Sequence, residues 1–143
     1  MSQNYPYGVG ISNVGSYQVS GIPYATSSIA APANSGTPTE ISFPDVTQRI
    51  FVSNINTQPL RVGFSSNGVK GTNYFLIPQA TSTTAGFEVQ ELRVKVKSIF
   101  ILSHTATPTS ASVFAELSNI DTNLLNQSGP TGLSNWSGSV GVG

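Results

Sequence analysis

From Leu92 to Leu102 the even positions read Leu92, Val94, Val96, Ser98, Phe100 and Leu102, all apolar except one serine. The odd positions read Glu91, Arg93, Lys95 and Lys97, then turn apolar at Ile99 and Ile101. Successive side chains on a strand point to opposite faces. The alternation therefore predicts one long strand over residues 87–102, with a core-facing side and a second side that starts wet and ends covered. Helical spacing would mix basic and apolar residues on every face. Phe87 and Val89 sit on odd positions while Leu92 onward uses even ones, so a bulge or tight turn is expected near Gln90 and Glu91.

The remaining pattern is also one of short strands. Residues 39–43 place Ile41 and Phe43 on one side and stop at Pro44-Asp45. Residues 48–55 contain Ile50, Phe51 and Val52, a run that suggests burial on both faces. After a turn at 56–59, Leu60, Val62 and Phe64 alternate against Arg61 and Ser65. Ser66-Asn67-Gly68 then reads as a hairpin turn, because Asn-Gly tolerates positive φ. Residues 73–77 resume extended structure up to Pro78. Residues 79–85 and 103–110 are Ser/Thr-rich loops, and residues 112–117 close the core with Val113, Phe114, Ala115 and Leu117. Residues 120–126 suggest a single helical turn. Seven or eight short strands separated by turn signals predict an antiparallel sandwich or barrel.

Charge divides the chain further. The six basic and six acidic residues all lie between Glu40 and Asp121, and the net charge is zero. This predicts three parts: an uncharged N-terminal arm over 1–38, a β-sandwich over 39–121, and a Gly/Ser/Asn-rich C-terminal tail over 122–143. The arm holds Tyr5, Tyr7, Tyr17 and Tyr24, four of the five tyrosines. It reads either as a flexible tail or as an arm that orders when laid across a neighbouring subunit. Tyrosine suits the second role, having a large apolar face and a polar tip.

Charged residues make up only 8% of the chain, against roughly a quarter in ordinary domains. Such a surface is poorly protected against association. No basic excess points to nucleic acid. With no cysteine, disulfides, thiol nucleophiles and thiolate metal sites are excluded. The first residues, MSQNYPYG, lack the basic and apolar regions of a signal peptide, and no apolar run has the length of a membrane span. The expectation is a protein made in the cytoplasm and not secreted.

Candidate chemistry is sparse. His104, the only histidine, lies in the loop SHTATP, and no nucleophile-elbow pattern surrounds any serine; it reads as an exposed loop residue. Glu88 and Glu91 stand three apart, a spacing that need not bring two carboxylates together as a glycosidase pair requires. Asp45 and Asp121 stand alone. Arg93, Lys95 and Lys97 form a basic row on one strand face, read either as solvated residues that discourage edge pairing or as a contact for an acidic partner. Asn126-Gln-Ser and Asn135-Trp-Ser match the glycosylation pattern by composition, and Trp136 alone is too little for a sugar platform. No catalytic, metal or cofactor site is expected.

The stretch QRIFVSNINTQPLRVGFSSNGVKGTNYFLIPQ, followed by ELRVKVKSIFILS and SVFAELSNI, resembles the single jelly-roll vertex (penton) and minor capsid proteins of large icosahedral double-stranded DNA viruses. The resemblance spans about residues 40–120 and rests on strand order, the LRVGFS…NG…NYF hairpin and the long apolar-plus-basic strand. It implies two four-stranded sheets packed face to face in a single jelly roll of about eight strands, with uncharged extended arms. It also implies a virion subunit that self-assembles, as a homopentamer at icosahedral vertices and against neighbouring capsid proteins. Two alternatives stand beside this: a minor capsid or cement protein, and a small β-sandwich module binding glycan or protein on a tail or fibre. The chain holds no projecting insertion of the kind a spike needs.

Overall fold

A computed structural model of the chain describes residues 22–54, 56–80, 88–125 and 136–143. Eight strands are described: β1 (Ile22–Ala31), β2 (Thr39–Ser42), β3 (Asp45–Asn54), β4 (Leu60–Gly63), β5 (Phe75–Ile77), β6 (Glu88–Leu92), β7 (Ser98–Ser103) and β8 (Thr109–Asp121). One-turn helices follow β4 (α1, Ser66–Lys70) and β8 (α2, Thr122–Leu125). The second of these lies where a single helical turn is expected.

The strands form two antiparallel four-stranded sheets, ordered β1-β8-β3-β6 and β2-β7-β4-β5. The pairs β1·β8, β2·β7, β3·β6 and β4·β5 are all present. That is a set of nested hairpins, folded so that successive pairs fall in alternate sheets. Rolling the nest brings β3 beside β8 and β4 beside β7, which supplies the remaining ladders. This is the single jelly roll, an antiparallel β-sandwich.

The core lies between the sheets. Ile41, Ile50, Val52, Leu60, Val62, Ile77, Ile99, Ile101, Val113 and Leu117 are buried in one cluster. β-Branched residues dominate it, as a pleated and covered surface favours. A smaller cluster, Val46 with Ile120, caps one end.

The long strand expected over 87–102 is instead two. β6 belongs to one sheet and β7 to the other, and the chain steps between them over residues 93–97. The parity of the core-facing residues changes at this step and not near Gln90 and Glu91. Leu92, Val94 and Val96 reach the core from even positions, whereas Ile99 and Ile101 reach it from odd ones. An apolar run continuing through a crossing looks in sequence like an uninterrupted strand. Beside it β2 crosses into β3, and the two crossings are tied together. Phe43 N donates to Lys97 O at 2.8 Å and Thr47 N to Val96 O at 3.0 Å. The buried Thr47 hydroxyl donates to Val94 O at 2.7 Å and accepts from Val96 N at 3.1 Å.

Three further expectations are corrected. Residues 22–31 are not part of an arm. They form edge strand β1, whose core-facing residues change from an even position at Tyr24 to odd ones at Ile29 and Ala31 because the register slips between Thr26 and Ile29. Asn67-Gly68 is not a two-residue turn: Ser65 caps α1 with its hydroxyl, which accepts from Gly68 N at 2.9 Å. The tail is not wholly apart from the domain, since Trp136 packs against both apolar clusters.

Replacing Thr47 by valine keeps its shape but leaves Val94 O and Val96 N without their buried partner. Stability should fall by about 1–3 kcal/mol. In urea unfolding this appears as a lower midpoint with an unchanged m-value; an unchanged midpoint would show that the two crossings hold without this tie.

Candidate assembly surface

The outer face of the β1-β8-β3-β6 sheet is built in rows by register. Ala25, Phe114, Phe51 and Glu91 stand opposite one another across the four strands. The next row places Pro23, Glu116 and Arg49 side by side. On the other side lie Ser112 and Ser53. The two aromatics lie on a sheet face whose opposite side forms the core, Phe51 half-buried and Phe114 39% accessible. The Phe51 and Phe114 rings sit 5.9 Å apart, tilted at 42°, a spacing favourable for aromatic pairs.

The charges beside this row compensate one another. Arg49 donates from Nε to Glu116 Oε2 at 3.0 Å and from Nη2 to Oε1 at 2.7 Å, a bidentate pair. Its Nη1 reaches Glu91 Oε1 at 3.2 Å, and Arg93 Nε reaches the same oxygen at 3.0 Å. Two cations and two anions therefore close on themselves. The guanidinium also stands 5.4 Å over the Phe51 ring. Hydrogen bonds to Glu116 and then Glu91 push the Arg49 guanidinium further above its already high range. Hydrogen bonds from Arg93 and then Arg49 hold the Glu91 carboxyl below its ordinary value.

The basic row expected on one strand face is thus divided. Arg93, Lys95 and Lys97 lie in the crossing segment, not on a strand, and Arg93 is paired with Glu91. Tyr24 belongs to the core, meeting Phe43 edge-on at 5.1 Å. Tyr5, Tyr7 and Tyr17 lie outside the described residues, as do Asn126, Asn135 and the side chain of Glu88.

His104 is not a freely exposed loop side chain. Arg61 Nε donates to its Nδ1 at 3.1 Å, and the Arg61 guanidinium stacks on Tyr74 at 4.5 Å. Arginine has only donors, so Nδ1 is fixed as an acceptor. A general base is oriented the other way, by an acceptor on its second nitrogen. Among the described residues no three His, Asp or Glu side chains stand where they could hold a metal ion. No described helix is long and apolar enough to cross a membrane.

Residues 136–143 form a hook laid over α1. Ser65 Oγ donates to Val142 O at 2.8 Å. A Cβ on Gly68 would collide with that same carbonyl oxygen, and a Cβ on Gly143 would lie 2.6 Å from Gly68 Cα. Gly143 also has φ of +86°, a conformation that suits glycine. Backbone here packs directly on backbone. The sequence shows both glycines but not their contact, which joins positions far apart in the chain.

Protein-family models, curated proteins and solved structures offer no match to this chain.

Two outcomes are expected. Gly68→Ala should dislodge the hook, at a cost of about 1–3 kcal/mol, and shift the emission of Trp136, the only tryptophan, to the red. An unchanged spectrum would mean that the slot relaxes around the methyl group. For Glu91, whose folded pKa is lowered, the stabilisation is present above the ordinary carboxylate value of about 4.3 and lost as pH falls through the lowered one. Glu91→Gln should therefore lower Tm at neutral pH, with the difference from wild type closing below about pH 4. A difference that persists in acid would assign the effect to packing.

Proposed function

We propose that the protein is a structural capsid subunit, a single jelly roll that self-assembles, as the pentameric vertex protein of an icosahedral virion. The observation that carries this reading is the outer sheet face: a partly exposed aromatic pair on a jelly roll, bordered by ion pairs that neutralise one another. Such a face can be covered by a neighbour without stranding a charge, which is the main cost of burying ionic groups. The low overall charge and the uncharged termini support it further. In a vertex ring, each subunit offers one surface to a different surface of the next, a heterologous contact that closes after five copies. Neighbouring capsid proteins are the remaining partners, and the virion is the place of action.

A second reading, a small glycan- or protein-binding module, draws on the other sheet. There Tyr74 covers Arg61, and Phe75 and Leu76 of β5 are exposed at 46% and 39%.

Native mass measured over a concentration series separates the two. Discrete pentamers or larger closed shells are expected. A stable dimer or trimer would overturn the vertex assignment, and a monomer at every concentration would favour the binding module.

A further inference from the structure

The outer face described above contains a shallow cleft of about 300 Å³. Phe51 and Phe114 line it together with Ala25, Thr26 and Ser27 of β1. The β1 side owes its shape to a bulge: the register with β8 slips between Thr26 and Ile29, and Ser28 adopts φ of 57°. A bulge bends its strand and re-aims the side chains beside it. Thr26 and Ser27 are exposed there.

The chain itself suggests the occupant. The described structure begins at Ile22, at the head of the strand that borders the cleft. Upstream, residues 1–21 carry no charge. Large side chains there fall on alternate positions, Tyr5, Tyr7, Val9 and Ile11, separated by Pro6, Gly8 and Gly10. In extended form such a segment has one broad apolar face and one nearly bare face. Side chains two apart stand roughly 6–7 Å from each other, close to the 5.9 Å between the Phe51 and Phe114 rings. An uncharged segment also leaves the Arg49–Glu116 and Arg93–Glu91 pairs undisturbed.

Length lets a neighbour be the receiver. The cleft begins three residues from Ile22, yet the patterned segment ends at Ile11, with ten residues between it and Ile22. At full extension ten residues reach at most roughly 33 Å, against a radius of gyration of about 13 Å for a 100-residue domain, which is enough to carry residues 5–11 onto a second copy.

We propose that residues 5–11 of one copy lie extended across the Phe51–Phe114 cleft of a second copy. This inference rests on the assembly reading above and names the surface that receives the arm.

The test places a photoreactive phenylalanine at Tyr7 in the full chain and mixes ¹⁴N- and ¹⁵N-labelled copies before irradiation. Mass spectrometry should find cross-links between differently labelled copies, into the peptides around Phe51 or Phe114. Phe114→Asp, an outward-facing change whose folding is checked by circular dichroism, should lower their yield at least about tenfold, the equivalent of one aromatic contact. Cross-links confined to a single copy, directed elsewhere, absent, or unaffected by Phe114→Asp overturn the proposal. Native mass on the same samples reports assembly separately. Assembly without these cross-links removes the arm's docking site and leaves the subunit reading standing; a monomer at all concentrations removes both.

Discussion

The two adjacent crossings between sheets are the constraint on which the rest of the structure depends. A nest of hairpins can roll into two sheets only if both strands of a pair change sheet together. Here β2 becomes β3 and β6 becomes β7 at the same place, and Thr47 stands between them, bonded by its backbone and its hydroxyl to residues 94–96. Those groups have left one ladder and not yet joined the next. Buried and unpaired, each would cost as much as a lost hydrogen bond. A threonine supplies a donor and an acceptor from one small side chain, which is why Thr47 can be buried at 0% exposure.

From that corner the register follows outward, and the register builds the outer face. β3 pairs with β8 on one side and β6 on the other, so Phe51 is set opposite both Phe114 and Glu91. The same ladder brings Arg49 opposite Glu116. The ion pairs are partly exposed and add little to stability alone. Their larger effect is on what the face can meet: four of the twelve charged residues are turned toward one another beside the aromatic row.

The sequence makes the strands legible where one face is buried and the other is not. Ile41, Leu60 and Val62 stand in the core as alternation predicts, whereas Phe51, in a run read as buried on both faces, and Phe114, read as core, lie on the outer face. It hides the crossing at 93–97, because Val94 and Val96 are apolar for the same reason as their neighbours and nothing marks the change of sheet. It hides β1 for the opposite reason: an edge strand exposed over most of its length needs no alternating pattern. The outer face is hidden in part. Arg49, Glu91, Arg93 and Glu116 are visible as separate charges, but their convergence depends on strands that pair across as many as 67 residues.

Gly68 shows how a strong local signal gives way to a distant contact. Asn-Gly normally marks a turn because glycine accepts positive φ. Here the glycine lies in a helical turn, and what matters is the absence of a side chain where Val142 O and Gly143 approach. Ser65 joins the two requirements, since its hydroxyl accepts from Gly68 N to start the helix and donates to Val142 O to hold the hook. One hydroxyl therefore couples the local fold of the β4–β5 connection to residues more than seventy positions away. A change that loosened the hook would also loosen the cap of α1, so this end of the domain responds as a unit.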